Sequence, residues 1–466
     1  MKSRNRNLGT WTAVIGLSVI AFCAGARLHD ARSPRATLKA STAQASALLK
    51  LTPEYSPVPI ESAKLSESQD RDLVSLVLKM LKSNYVEPIT KENETEMARG
   101  AVRGMMESLN DPDSRFLDPS ERKLLDDAAI GRFHGIGAVF ALKRDKVGDL
   151  DETKIIIVTP MPGSPAEKAG LRAGDSITYI DGKWIVTHDP FKEAQLEKML
   201  RAVRNKELDE LTYRKAYEAA FNRLKEGMNI NAALEAVTSR SSGEIGIRVD
   251  RPGEEKPIEV KVRCRNTTVD PVSSRPMENG IAYIRVSQFN KVAPAQFSAE
   301  VSRAQAGQAK ALILDLRNSP GGLMDSAAEI VARITGGGII GNIEGAKNER
   351  RVIREPRSRK LGIPVAILVN EGTASVSELV AGTLRDSGVA SIIGVKTFGD
   401  GLVQTPLLLK DGSAAIATTG KMLTAKGFDF NGKGIVPDRE IRQGDAKDDL
   451  QLREAVKILL AKTGKA

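Results

Sequence analysis

Hydrophobic residues recur along this chain with two periods, and the change from one to the other divides it. Leu73, Val74, Val77, Leu78 and Leu81 share one helical face, and Met97, Ala101, Val102, Met105, Met106 and Leu109 stripe a second helix. Asn110-Asp111-Pro112 then reads as a turn. From about Phe133 the texture becomes that of short strands broken by glycine: KIIIVTP (Lys154–Pro160), SITYIDG (Ser176–Gly182), EIGIRV and IEVKVRC, with a short helix and turn at Gly163–Asp175. Cys264 continues the alternation of Ile258, Val260 and Val262, as a buried strand thiol does. Ile230, Ala233, Leu234 and Val237 form a further helical stripe. From Met277 onward buried strands alternate with helices: IAYIRV, a helix near Pro294–Gln305, ALILDLR, a helix after Gly322, VAILVN, and a helix from about Val376. Continuous apolar strands separated by helices predict an α/β core with a largely parallel sheet.

The N-terminus carries an address. Lys2, Arg4 and Arg6 precede an apolar run from Leu8 to about Ala26 that ends in Ala24-Gly25-Ala26. This is the pattern of a secretory signal, or of an uncleaved membrane anchor. The expected location is therefore extracytoplasmic, periplasmic or tethered to the cytoplasmic membrane. Residues 27–66, rich in Ala, Ser, Pro and Lys, read as a linker.

Composition narrows the chemistry. Three histidines (His29, His134, His188) and two cysteines among 466 residues leave neither a zinc site nor a disulfide framework, so no metal or other cofactor is expected. No histidine lies near a candidate nucleophile. The formal net charge is +10, but aromatics are only 4% and much of the basic excess sits in AKNERRVIREPRSRKLG (Ala346–Gly362), which reads as a solvated loop. Nucleic acid is not an expected partner.

Three turns stand out. In VAILVNEGTASVSELVAGTLRD a buried strand runs through Glu371-Gly372 to Ser375, where a helix begins and free amides favour negative charge; a plain helix cap is the alternative. In DLRNSPGG (Asp315–Gly322) glycines follow a strand, so an amide can approach a ligand without an intervening side chain; a simple strand-to-helix turn is the alternative. In TFGDGLVQT (Thr397–Thr405) Asp400 sits between glycines, where it can also just bond its own backbone.

Taken in order with GIGAVFAL (Gly135–Leu142), GSPAEKAGLRAGDSITYIDG, LNDPDSRFLDPSE (Leu109–Glu121), DGSAAIATTGK (Asp411–Lys421) and GKGIVPD (Gly432–Asp438), these segments resemble the carboxyl-terminal processing peptidases, or tail-specific proteases, over roughly Leu73 to Glu440. The resemblance implies an α/β multidomain protein with a helical N-terminal region (67–130), a PDZ domain (131–268), a crotonase-like α/β protease core (269–445) and a C-terminal helix (446–466). The PDZ domain carries an insertion over about 189–227 that reads as two helices, either a self-packed hairpin or a partner-docking arm.

The resemblance also implies a serine endopeptidase acting near the C-termini of protein substrates. Ser375 falls at the nucleophile, and the amides of Gly321 and Val376 fall at the oxyanion hole. Gly135, Ile136, Gly137 and Ala138 match the PDZ loop that holds a peptide carboxylate. Gln404 falls where the family orients its base. That base is a lysine in the F-G-K-G pattern, and here the position is Asp400. A desolvated lysine can take the serine proton and return it to the leaving amine; an aspartate near pKa 3.9 does neither well. Lys396 and Lys421 are the nearest substitutes in sequence. Ser319 stands where the family often has asparagine, and Val376 replaces the usual alanine. The expectation is an impaired processing protease, with a non-catalytic module that binds C-terminal peptides or a partner protease as the alternative. Oligomeric state stays open.

Overall fold

In the computed structural model, residues 70–464 are described apart from 110, 148–149, 189, 356, 358 and 444–447. The leader and linker expected over 1–66 lie outside the described residues. Two compact units divide the chain, Met1–Lys79 and Met80–Ala466. Helix α1 (Asp70–Asn84) crosses that boundary, and every later element belongs to the second unit. Among the described residues no helix is long and apolar enough to cross a membrane.

Helix α2 (Lys91–Glu107) starts at Thr90, which forms a reciprocal cap with Asn93. Strand β1 (Arg115–Leu117) and helix α3 (Pro119–Ala128) come next, α3 capped by Asp118 and Glu121. A two-stranded neck, β2 (Arg132–Phe133) with β9 (Thr267–Thr268), brackets the PDZ domain. Within it lie β3 (Ala138–Val147), β4 (Leu150–Pro160), α4 (Pro165–Lys168), β5 (Ser176–Ile180), β6 (Lys183–Trp184), α5 (Ala194–Arg204), α6 (Glu210–Glu226), α7 (Ile230–Thr238), β7 (Glu244–Asp250) and β8 (Ile258–Arg263). The strands order as β3-β4-β5-β7-β8, which leaves β3 on an open edge. Ile155, Ile157, Ile177, Ile245, Ile247 and Val249 bury one face of this sheet against Ala233 and Val237 of α7. Each such burial is worth about 1.5–3 kcal/mol.

The insertion is a helical hairpin: α5 and α6 lie against each other, with Phe191 and Tyr217 rings 4.7 Å apart. Arg223 stacks over Trp184 at 4.3 Å and pairs with Glu193 at 3.0 Å, fixing the hairpin to the sheet. No α6 side chain is buried, so its apolar stripe serves the hairpin rather than the domain core.

The protease core contains β10 (Val272–Pro276), β11 (Ile281–Val286), α8 (Ala293–Ala306), β12 (Ala311–Asp315), α9 (Met324–Thr335), β13 (Gly338–Gly345), β14 (Arg350–Glu355), β15 (Val365–Val369), α10 (Val376–Asp386), β16 (Ala390–Gly394), β17 (Leu402–Leu408), β18 (Ala414–Leu423), β19 (Arg439–Glu440) and α11 (Leu450–Thr463). Its main sheet runs β10-β11-β12-β15-β16-β19, parallel throughout except for β10. The unbroken apolar runs of β12 and β15 are explained by burial on both faces. Leu312, Leu314, Val365, Ile367 and Val369 pack toward α8, α9 and α10, while Ala311, Ile313, Ala366 and Leu368 pack toward α11.

A second sheet, β1-β18-β13-β14 with β17 on β18, differs from expectation in two ways. The basic segment expected to be a loop contributes β14, whose arginines face water while Ile353 packs inward; charged edge positions block further pairing. Strand β1, from the region read as helical, pairs with β18 (Phe116 opposite Ala415), so that region is built into the core.

Candidate active site

Strand β15 ends at Val369, and α10 starts at Val376. Between them Asn370 gathers the turn: its Oδ1 accepts from the Asn318 amide at 2.8 Å and the Gly372 amide at 3.1 Å. Thr373 Oγ1 donates to the Leu316 carbonyl at 2.8 Å, and the Ala374 amide donates to the Ser319 carbonyl at 3.0 Å. Ser377 donates to the Ser319 hydroxyl at 2.9 Å. The nucleophile turn and the glycine turn are thus laced together. At their junction Ser375 adopts φ 55°, ψ −127°, a backbone that a residue with a Cβ enters only at a cost of about 1–3 kcal/mol. Its neighbours Ala374 and Val376 are buried while Ser375 itself is half-buried, so the turn presents its side chain at the surface.

Gly321 explains what the serine faces. With φ +97°, its backbone lies so close that a Cβ there would sit 2.8 Å from Ser375 Cβ and 3.0 Å from the Val376 nitrogen. Only glycine permits that approach. The peptide groups of Gly321 and Val376 consequently converge beside Ser375, the arrangement needed to hold an oxyanion.

Glu378 joins the site although the sequence reading gives it no role within the segment that carries Ser375. It is fully buried, and Oε2 accepts from the Ser375 amide at 3.0 Å and the Asp400 amide at 2.8 Å. Oε1 accepts from the Gly399 amide at 2.8 Å and from the Thr397 hydroxyl. One carboxylate therefore ties the nucleophile turn to the Asp400 loop. Burial pushes the Glu378 carboxyl up to about 7 against those hydrogen bonds. A signal for it exists in the sequence: Ser375-x-x-Glu378 has the spacing of a reciprocal helix cap.

Through Glu378, Asp400 is held next to Ser375: the two amides share one oxygen. Asp400 is pushed up to about 6, first by burial and then by Asp113. Asp113 is itself raised by burial and by Asp111, partly offset by Arg115. The base position thus holds an acid whose ionisation a second acid opposes. Asp400 Oδ1 accepts from the Leu402 amide only at 3.4 Å, so the local turn bond is weak.

Gln404 lies on β17 and is exposed; its Nε2 donates to Thr418 Oγ1 at 2.9 Å, and Thr418 donates to Asp111 at 2.5 Å. Lys396 is exposed and lines a cavity with Asp315 and Arg317. Lys421 is exposed on β18, in register with Leu402 and Glu344. Among the described residues, neither lysine hydrogen-bonds the Ser375 hydroxyl.

In the PDZ domain, Gly135 and Gly137 take left-handed φ of 71° and 72°. The Gly135 amide donates to the Arg240 carbonyl at 2.9 Å and the Ile136 amide to the Val237 carbonyl at 3.0 Å. This narrows the expected four-residue carboxylate nest: two of its amides are spent on the end of α7, leaving those of Gly137 and Ala138 next to the open edge of β3. Among the described residues, no group of three or more His, Cys, Asp or Glu side chains is arranged to hold a metal ion.

These features agree with what the chain is similar to. A family model described as peptidase family S41 matches residues 280–441, and a PDZ domain model matches 156–208. The N-terminal domain of the activating protease CtpB matches 41–121. Carboxy-terminal processing protease CtpA of Bacillus subtilis (strain 168) is 30% identical over 395 residues, covering 84% of this chain and 73% of that protein. The chain belongs to the carboxyl-terminal processing peptidases of family S41. A probable CtpA-like serine protease of Staphylococcus aureus (strain MRSA252) is 31% identical over 382 residues, covering 81% of this chain and 66% of its own. The photosystem II D1 C-terminal processing protease shares the fold, with a TM-score of 0.59 at 24% identity, covering 85% of this chain and 98% of that one.

Proposed function

We propose that this S41 peptidase is an exported serine endopeptidase of the C-terminal processing type whose proteolysis is crippled at its proton transfers. Supporting the catalytic half is the convergence of Ser375, on its strained turn, with the backbone of Gly321 and Val376. In the reaction Ser375 Oγ bonds to the scissile carbonyl carbon, the carbonyl oxygen becomes an oxyanion beside the two amides, and the hydroxyl proton leaves to a base. That proton must then reach the departing amine, freeing an acyl-enzyme for water to cleave.

Asp400 fails at both transfers. Its carboxyl, near 6, is largely ionised at neutral pH, but among the described residues no hydrogen bond joins it to the Ser375 hydroxyl, so it is not placed to take that proton or pass it on. Its charge also opposes the forming oxyanion. In another serine protease, loss of the catalytic base costs about 10⁶-fold in turnover, and a comparable loss is expected here.

The second reading, a non-catalytic module that binds C-terminal peptides or a partner protease, is favoured by the lack, among the described residues, of any hydrogen bond from the Ser375 hydroxyl to Asp400, Lys396 or Lys421. In both readings the PDZ edge supplies recognition: a peptide adds to β3, its carboxylate at Gly137 and Ala138. A fluorophosphonate probe separates them. Labelling of Ser375 that is lost in Ser375→Ala supports a retained nucleophile with a damaged relay. No labelling of a folded chain that still binds a C-terminal peptide supports the binding module.

A further inference from the structure

A cavity of about 670 Å³ opens at the carboxyl ends of the parallel strands, on the α11 side of the sheet. Ser375 does not line it. Its walls come from the ends of five neighbouring strands: Arg285 near the end of β11, Asp315 at the end of β12 with Arg317 just beyond, Asn370 and Glu371 after β15, Lys396 after β16, and Arg442 after β19. Crevices at the carboxyl ends of parallel strands are where open α/β sheets bind ligands, and this volume suits a small molecule.

Hydrogen bonding sorts the charges. Arg317 is spent: Asp315 accepts from its Nε and Nη2, and Asp449 accepts from Nη1 and Nη2, both at 2.9 Å. Asp315 is further occupied by the Tyr283 hydroxyl at 2.6 Å. Arg442 sits 3.8 Å from Glu440. Arg285 is different. Its Nε is buried with no hydrogen-bond partner, a donor short of an acceptor in the cavity wall. Lys396, at the opposite end, has no ion-pair partner among the described residues. From β11 to β16 is three strand spacings, so the strands that carry the two residues lie about 14 Å apart. Glu371 and Glu440, exposed on the same wall, are the acids that would repel an anion, Glu440 partly offset by Arg442.

We propose that this cavity is a binding site for a small organic polyanion, a di- or tricarboxylate or a phosphate ester, with one acidic group on Arg285 and another toward Lys396. Such an occupant lies against Asn318 and Asn370, which hold the nucleophile turn from behind: Asn370 donates to Asn318 Oδ1 at 2.8 Å and accepts from Gly372. Binding therefore stiffens the turn that carries Ser375, independently of which acid or base occupies position 400.

Calorimetric titration of the full chain with citrate, and separately with pyrophosphate, at constant ionic strength tests this. Saturable binding of one of them is expected, and which one binds distinguishes a carboxylate from a phosphate ligand. Arg285→Met should weaken it at least tenfold and Lys396→Ala severalfold; Lys396 is exposed, so its loss does not threaten the fold. Absence of saturable binding, heats reproduced by sodium chloride, or unchanged affinity in both variants would overturn the proposal.

Discussion

Replacing Glu378 by glutamine exchanges an oxygen for an amino group where the nucleophile turn meets the Asp400 loop. Oε2 serves Ser375 and Asp400, and Oε1 serves Gly399 and Thr397. A carboxamide oriented to keep the first pair turns its NH₂ toward the second. Thr397 Oγ can accept from it, but the Gly399 amide loses its acceptor, a cost of about 1–3 kcal/mol for one buried N–H. The parent carries a different cost. Its carboxyl is raised from an ordinary 4.5 to about 7, so the folded chain holds that proton more tightly than the unfolded chain does. The group's contribution to stability is complete below 4.5 and is lost as pH rises through 7. At 1.36 kcal/mol per unit this is about 3 kcal/mol at most. Glutamine does not titrate. Glu378→Gln should therefore be less stable than the parent at about pH 5 and equal or more stable at about pH 8. Guanidinium unfolding of both proteins at the two pH values gives the difference directly. A deficit that is constant, or that grows with pH, would refute the assignment of a raised buried carboxyl.

Asp400→Asn removes the second raised carboxyl, whose value near 6 places its loss of stability between 3.8 and 6, and should likewise flatten the parent's pH profile; an unchanged profile counts against burial of that acid. Gly321→Ala drives a Cβ to 2.8 Å from Ser375 Cβ and 3.0 Å from the Ala374 carbonyl and Val376 nitrogen in a left-handed backbone, so fluorophosphonate labelling should fall about 10²–10³-fold and the melting temperature should drop as well. Gly137→Ala places a Cβ 2.7 Å from Ser164 Cβ beside the free loop amides. Fluorescence anisotropy should then show about tenfold weaker binding of a peptide with a free carboxylate, and little change for its amide.

The main sheet is legible in the sequence because β12 and β15 are buried on both faces, which leaves an apolar run no other arrangement explains. Ser375 and the glycine turn are legible for a related reason: strain and close approach demand particular residues, and Ser375, Gly321 and Gly322 are among them. Pairings between distant segments are not legible. Asp111 meets Thr418 and β1 pairs with β18 across some three hundred residues, and nothing local in either partner marks the other. Arg350–Glu355 misleads because its charge outweighs its alternation: Ile353 faces the core between arginines that face water. Glu378 escapes notice although its spacing from Ser375 announces it, since the same spacing marks any helix cap. In the fold it joins the nucleophile turn to the loop of the base position.

Cleavage of an unstructured, C-terminally tailed substrate by the parent, by Asp400→Lys and by Asp400→Asn is the most direct measurement. An amine restored at position 400 should raise turnover by orders of magnitude over a parent near background, while asparagine should give no gain. Vigorous cleavage by the parent, or a folded lysine variant no faster than it, would contradict the claim that an acid in the base position is what silences Ser375.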